Sequence, residues 1–388
     1  MPATSHSELK TTIKNALKPR EVILKSIDIL NFKNIASTTL EFSPGVNCLL
    51  GMNGMGKSNL LEAIHFLSMA RPMTALPDNA LIRHGEDMLI VKGEYLADSG
   101  TSDIIACGIT RGKGKNLKRN GKEYKRFSEH IGRYPIVTVT PGDSQLVNGP
   151  GEDRRKLMDM VISQAHPEYL AQLIRYNRAL ESRNRMLRAG VRDSLLYESV
   201  ETGLEDAAAL IHSTRREWVK TITPKVEDCY SRLAGEREKV EIAYSSQLTG
   251  TSMKELLAER RPKDTILGYT SAGTHRDDID AKLDGYSLRR LGSQGQVKSF
   301  TVALRLAIFD YLKEASGTTP LLLLDDIFDK LDASRVENIM HEVTANQTFG
   351  QIFITDTNRK HLDDILAGME GPCSMLNVEN GVFTPLNI

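Results

Sequence analysis

Apolar and polar positions change rhythm several times along the chain, and each rhythm predicts an element. Val46 to Leu50 read as a short buried strand, after which Leu60, Leu61, Ile64 and Leu67 recur at the spacing of a helix with one buried face. LIVKGEYL, DIIACGIT and YPIVTVT read as short strands bounded by polar turns. From Asp153 to about Gly235 the texture is helical. Leu170, Leu173, Tyr176, Leu180 and Leu187 mark one face of a first arm. A second begins at about Leu195, with Leu204, Ala208, Ile211, Trp218 and Ile222 on its face, and Thr223-Pro224 then predicts a kink or a fresh helix start. Two arms of roughly forty residues would each span on the order of 60 Å if unbroken, enough for a helical lobe and too short for a long coiled-coil rod. Further on, Val297, Phe300, Leu304, Ala307, Ile308 and Tyr311 predict an amphipathic helix. Leu321 to Leu324 form a continuous apolar run, the pattern of a central parallel strand buried on both faces. The order of elements predicts an α/β fold with an inserted, mainly helical lobe. We place an N-terminal extension at residues 1–21, a head at 22–150 and 263–388, and the inserted helical domain at 151–262.

Composition adds bounds. A chain of 388 residues exceeds the usual size of one compact domain. Its 50 basic and 50 acidic side chains cancel, so any nucleic-acid footprint must be local. Cys48, Cys107, Cys229 and Cys373 form no CxxC or Cys/His spacing, so neither a disulfide scaffold nor a zinc site is expected, and a reducing cytoplasm fits them. The opening residues lack the apolar run of a secretory signal, and no later segment carries 18 apolar residues for a membrane span, so a soluble protein is expected. Leu9, Ile13 and Leu17 could make a helical turn or two within an otherwise polar extension.

The candidate chemistry begins with Gly51-x-x-x-x-Gly56-Lys57-Ser58, a P-loop pattern lying between the predicted strand and helix. Glycines let the backbone curl so that successive N–H groups face phosphate oxygens. Lys57 reaches the β and γ phosphates, and the Ser58 hydroxyl ligates magnesium. A nucleoside triphosphatase also needs an acidic magnesium holder on a neighbouring strand, and Asp325 and Asp326 stand at the C-terminal end of the Leu321–Leu324 run. Asp325 is the expected holder, and Asp326 is placed to orient or deprotonate the attacking water. More than 260 residues separate Ser58 from Asp325, so something large is inserted between the two halves of the site.

Two further segments carry alternatives. Ser293-Gln294-Gly295-Gln296 opens the Val297 helix, with Ser293 as N-cap and Gln296 as its reciprocal capping-box partner. The same helix end, with unpaired N–H groups and partial positive charge, suits a phosphate. Residues 111–126 carry eight basic side chains against a single Glu123, with Asn120-Gly121 as a tight-turn signal at the centre. This predicts a basic hairpin, either solvated or contacting DNA phosphates through Lys113, Lys115, Lys118, Arg119, Lys122 and Arg126. Arg154-Arg155-Lys156 and Arg183-Asn184-Arg185 are read as solvated helix faces in preference to DNA contacts.

With these pieces placed, the chain resembles the RecF family of bacterial DNA replication and repair proteins, within the ABC-type, SMC-like ATPases. The resemblance runs nearly end to end, through LKSIDILNFKNI, GMNGMGKSN, TPGDSQLVNGPGEDRRKLMD, YLAQLIRYNRALESRNRML, GYTSAGTHRDD, GSQGQ and LLLLDDIFDKLD. Thr274 stands where the family usually has Pro, Ser58 where Thr is common, and the N-terminal extension is unusual for it.

The resemblance implies an ABC-type ATPase head with mixed sheets, and ATP and Mg2+ as cofactors. Gly51, Met52, Asn53, Gly54, Met55, Gly56, Lys57, Ser58 and Asn59 would hold the nucleotide, with Ser58 and Asp325 on the metal. Ser293, Gln294, Gly295 and Gln296 would meet the γ phosphate held by the Lys57 of a second copy. Asp326 takes the place often held by Glu in other ABC-type ATPases. Its side chain is one methylene shorter, which suits a weak, DNA-stimulated ATPase used as a switch. Gln145 or Asp143 would sense the γ phosphate near the metal, Thr355 or Asp356 would form the last switch segment, and Leu331-Asp332 would face the opposite subunit. The implied partners are double-stranded DNA near single-strand junctions, a second copy closed by ATP, and RecR and RecO. A different reading of the same P-loop and acidic strand is the nucleotide-binding subunit of a membrane transporter, against which the helical insertion and the SQGQ tetrad stand.

Overall fold

The computed structural model describes residues 19–74, 76–234, 238–328, 333–345, 349–369 and 371–387. Of the predicted extension at residues 1–21, residues 1–18 lie outside these. Arg20 is already tied down, its N–H donating to Gly317 O and its carbonyl accepting from Thr319 N.

Two six-stranded sheets enclose the P-loop helix. The first is antiparallel, in the order β2 (Ile35–Glu41), β1 (Val22–Phe32), β4 (Met88–Ala97), β5 (Ser102–Thr110), β6 (Gly114–Arg119), β7 (Lys122–Glu123). The second runs β15 (Val382–Leu386), β14 (Cys373–Glu379), β3 (Val46–Leu50), β13 (Ile352–Asp356), β12 (Leu321–Asp325), β8 (Ile136–Val139), all parallel except the β14–β15 edge pair. Side chains of a strand alternate between faces, so a sheet buried on both sides needs apolar residues at every position. This happens in β12: Leu321 and Leu323 join the core shared with the antiparallel sheet, while Leu322 and Leu324 join the core under the helical lobe. Helix α1 (Lys57–Met69) lies in the first of these cores, with Leu60, Leu61, Ile64 and Leu67 fully buried as predicted and Ala63 and Phe66 buried beside them.

The lobe consists of α2 (Gly151–Ala165), α3 (Pro167–Arg188) and α4 (Ser194–Ala234), with α5 (Met253–Leu267) alongside. Of the kink or fresh helix start expected at Thr223-Pro224, the fresh start does not occur: α4 runs through Pro224 for 41 residues. The Thr223 hydroxyl donates to Val219 O at 2.7 Å, and the flanking turns pack into the core through Val219, Ile222 and Val226, so tertiary contact outweighs one missing backbone donor. The predicted border at residue 262 falls inside α5. Strand β9 (Val240–Ser245), within the insertion, pairs with β10 (Asp278–Leu283) of the head, which pairs in turn with β11 (Tyr286–Ser287). Lobe and head therefore share a small sheet. Helix α6 (Gln294–Ser316) packs against α4, with Lys225 on Glu314 at 2.7 Å and Trp218 edge-on to Tyr311.

Within the two arginine clusters only Lys156 and Arg185 are exposed; the others turn inward, against the expected solvated faces. Arg154, 5% exposed, forms a two-point ion pair with Asp278, and Arg155 donates to Asp277 O. Burial alone would raise the Asp278 pKa, yet the Arg154 guanidinium holds it below the usual carboxylate range. Arg183 is fully buried between Glu201 and Asp264, and Asn184 accepts from the Thr270 N–H and hydroxyl. Charge patterns along one helix do not reveal this, because the partners lie on other elements, 18 positions away for Glu201 and 81 to 124 for the rest. Arg215 joins them, bonding Asp159, Tyr169, Asp277 and the Thr274 carbonyl at 2.7 to 3.0 Å. The sequence blocks RRKLMD, RYNRALESRN and THRDD thus interlock as a buried ionic seam between lobe and head.

Candidate functional site

Strands β3, β13 and β12 are neighbours, and their C-terminal ends lie in register: Asp356 pairs with Leu50 and Thr355 with Asp325. The loop after each strand therefore opens at one edge of the sheet, where ligands of open α/β sheets bind.

The loop after β3 is the P-loop. Gly51 N donates to Asp356 O at 3.3 Å, and a Cβ on Gly51 would lie 2.4 Å from Val378 O, so glycine is required by close approach. Gly54 and Gly56 have φ of 82° and 115°, in the left-handed region, and the backbone curls there as the motif predicts. Two supports were not read from the motif. Asn34 Nδ2 donates to Met55 O and its Oδ1 accepts from Asn59, while Gly381 N also donates to Met55 O at 2.7 Å. The Asn380-Gly381 turn, with both residues at positive φ, brings that donor in. Met52, Asn53 and Gly54 stay exposed at the tip. Lys57 folds back on its own loop, with Nζ 2.6 Å from Gly51 O, 3.2 Å from Met52 O and 3.9 Å from Asp326.

The acidic strand end meets the helix start directly. Ser58 Oγ donates to Asp325 Oδ1 at 2.8 Å, and Thr355 Oγ1 donates to the same oxygen at 2.8 Å. A hydroxyl and a carboxylate oxygen converging beside a phosphate cradle fit Mg2+, which takes one or two protein oxygens and completes its shell with phosphates and water. Among the described residues no group of three or more His, Cys, Asp or Glu side chains could hold a metal, so no all-protein cage competes with this reading.

Other predicted residues have different fates. Asp143 is committed to structure: Arg305 on α6 forms a two-point ion pair with it at 2.7 and 2.9 Å, and it closes a capping box with Thr140. Gln145 starts the exposed turn that follows. Ser293 caps α6 in the predicted box, accepting from Gln296 N at 3.2 Å and donating its N–H to Gln296 Oε1 at 2.8 Å, while the Gln296 amide also donates to Glu238. The N–H groups of Gln294 and Gly295 have no preceding turn to accept them. Ser293 and Gln294 are exposed. Leu331-Asp332 lie outside the described residues.

The basic segment is a hairpin, β6–β7, with Asn120 and Gly121 at φ 52° and 79° in the turn. Its cations divide. Lys113, Lys118, Lys122 and Arg126 are exposed. Lys115, with 13% of its side chain exposed, pairs with Asp78 at 2.8 Å and lies over the Phe66 and Phe127 rings; Arg119 forks onto Asp103. These two hold the sheet together, a role that a count of basic residues cannot separate from phosphate contact.

A phosphate cradle on the edge of a mixed sheet, an acidic strand beside it and a capped helix opening to solvent make the chain an ABC-type ATPase head of the SMC-like kind. Residues 23–101 match the family model described as the RecF/RecN/SMC N terminal domain. The chain is 46% identical over 361 residues to the DNA replication and repair protein RecF of Porphyromonas gingivalis, covering 93% of this chain and 99% of that one. It is 44% identical over 366 residues to that of Bacteroides fragilis, covering 94% and 99%. A solved structure of the recombination mediator protein RecF with ATP in the RecFOR pathway superposes with a TM-score of 0.84 at 28% identity, over 94% of this chain and 98% of that one. The Smc head domain of Pyrococcus furiosus shares the fold at 16% identity and a TM-score of 0.56. The chain belongs to the RecF family, and the transporter reading is set aside. Among the described residues no helix is long and apolar enough to cross a membrane.

Proposed function

We propose that ATP closes two copies of this chain on double-stranded DNA near single-strand junctions, and that slow hydrolysis resets them during recombinational repair in the cytoplasm. What supports the reading is that the P-loop and the capped, solvent-facing start of α6 are separate within one chain. Among the described residues, no hydrogen bond or ion pair links Gly51–Asn59 to Ser293–Gln296. A second copy supplies the missing half: Ser293 and the N–H groups of Gln294 and Gly295 meet the γ phosphate held over the partner subunit's P-loop, and the same happens reciprocally. Capping and phosphate contact are then one geometry, because a helix end that caps itself at its third N–H still offers the first two to an anion.

Within each half, Lys57 leaves the carbonyls of Gly51 and Met52 for phosphate oxygens, and Ser58 and Asp325 hold Mg2+. The metal, when bound, neutralises charge developing between the β and γ phosphates. Asp326 orients the attacking water. Lys113, Lys118, Lys122 and Arg126 offer the DNA a set of cations. RecR and RecO are the protein partners this reading implies, and recombinase loading at gaps is the outcome.

Ser293→Arg tests the trans site, since it places a second cation and extra bulk opposite the partner's Lys57. By sedimentation, the wild-type chain of 43.1 kDa should double its mass on adding ATP, while the variant stays at one chain yet binds ATP normally. A variant that dimerises as well as wild type would reduce the tetrad to a helix cap.

A further inference from the structure

Asp326 holds a backbone conformation that a residue with a side chain disfavours. Its φ is 42°, in the left-handed region, at a cost of about 1–3 kcal/mol that persists only where the surroundings enforce it. Two side chains, one near the end of β13 and one on the helix after it, enforce it here. On the near side, Thr355 Oγ1 accepts the Asp326 N–H at 2.9 Å while donating to Asp325 Oδ1. On the far side, Phe328, two residues beyond Asp326, is buried and meets the His361 ring edge-on with centroids 5.7 Å apart. His361 lies in the first turn of α7 (Arg359–Ala367) and is itself held on both ring nitrogens. Nδ1 is 2.8 Å from Asp356 Oδ2, and the Asn358 amide is 3.1 Å from Nε2. The other Asp356 oxygen accepts the Asn358 N–H at 2.8 Å. A carboxylate at one nitrogen and an amide donor at the other fit the neutral ring with its hydrogen on Nδ1.

We infer that Thr355 and His361 are positioning residues of the ATPase, which together clamp the strained Asp326 so that its carboxylate keeps the place from which it orients water. His361 acts through Phe328 and touches no phosphate in this account. The inference rests on the ATPase reading above and adds to it the cause of Asp326's placement. With either side of the clamp removed, the peptide at Asp326 relaxes toward ordinary right-handed or extended backbone and carries the carboxylate away. Displacements near 1 Å at a reacting centre cost on the order of 100-fold in rate. The segment from Thr355 to His361 touches the P-loop backbone through the Asp356 carbonyl, which no side-chain change removes, and Thr355 also shares the Asp325 oxygen with Ser58, whereas His361 has no such link among the described residues.

The test compares Thr355→Val, which keeps the shape and loses both hydrogen bonds, with Thr355→Ser, which keeps the hydroxyl, and with His361→Ala. Affinity for a fluorescent ATP analogue, single-turnover hydrolysis and thermal melting are measured on the full chain with Mg2+. His361→Ala should bind the analogue within about threefold of wild type and hydrolyse ATP about 10- to 100-fold more slowly; Thr355→Val, which also loses its bond to Asp325, should lose at least as much rate, with Thr355→Ser restoring most of it. If Thr355→Val fails to fold, His361→Ala carries the comparison alone. Wild-type rates in both, or affinity falling in parallel with rate in His361→Ala, would overturn the clamp. A wild-type chain that neither binds nor hydrolyses ATP would instead sink the ATPase reading on which the clamp depends.

Discussion

Arg215 offers the sharpest test of the ionic seam between lobe and head. It is 2% exposed, and it donates to Asp159, Tyr169, Asp277 and the Thr274 carbonyl. Substituting Met keeps the stem and removes the charge. Asp159 retains some solvent access, but Asp277 is fully buried, one of its oxygens has no hydrogen-bond partner, and Tyr244 at 2.6 Å would be left as its remaining side-chain donor. Stranding a buried charge in this way costs about 3–5 kcal/mol, and the full burial of Asp277 puts the expectation at roughly 4. For a chain of 388 residues that lowers the melting temperature by about 5 °C, at roughly 1.2 °C per kcal/mol. Arg215→Lys keeps the charge without the planar fork that serves four acceptors, so its loss should fall near half of that. Urea unfolding followed by circular dichroism measures both. An Arg215→Met chain within about 0.5 kcal/mol of wild type, the range of ordinary surface substitutions, would show that the seam does not bind lobe to head.

Lys57→Ala should raise the ATP dissociation constant at least about 100-fold, since charge-assisted bonds to phosphate are lost; calorimetry giving unchanged affinity would refute the P-loop assignment. Reversing Lys113, Lys118, Lys122 and Arg126 to Glu should flatten the dependence of DNA affinity on salt by up to about 0.9 per cation, whereas Lys115→Gln should lower stability and leave that slope alone. An unchanged slope in the fourfold variant would return the hairpin to a solvated loop. Asp103 supplies a pH-dependent term. Burial opposes its charged form, yet hydrogen bonds from Arg119, Tyr134 and Asn120 hold its pKa at about 2. A depressed carboxylate stabilises the fold above its unfolded pKa, and the gain is lost as pH falls through about 2. Because Arg119 is 38% exposed, the contribution is about 1 kcal/mol in place of the fuller value the shift alone implies. The stability difference between wild type and Asp103→Asn should therefore shrink between pH 4 and 2, and a constant difference would argue against the pairing.

Local signals were legible wherever one segment contains its own cause. The P-loop needs glycines, a lysine and a hydroxyl within eight residues, and the α6 capping box needs two side chains three apart; both formed as read. The doubly buried strand at Leu321–Leu324 was visible because burial on two faces leaves no polar position. Signals failed where the partner is remote. Arg154 and Arg183 look like solvated charge on their own helices, and only the chain's return at Asp264 and Asp278 makes them internal. Lys115 and Arg119 were indistinguishable from the exposed cations of the same hairpin until Asp78 and Asp103 came beside them. Pro224 carried a correct local preference that core packing overrode. Asn34 and Gly381 support the P-loop from more than 20 and 300 residues away, and no motif spacing encodes that.

The unbroken α4 has a mechanical consequence. Its C-terminal half lies against α6, the helix that Ser293 caps, and Arg215 anchors it near the middle. From Arg215 to Ser194 the helix extends about 30 Å further, and that length is tied to α3 and α5 through Glu201 on Arg183 and Arg261 and Asp206 on Arg175. A fresh helix start at Pro224 would let α6 tilt without them. In one continuous helix, a tilt of about 10° at the anchored end would carry the Ser194 end, and the turns of α3 and α5 bound to it, through about 5 Å.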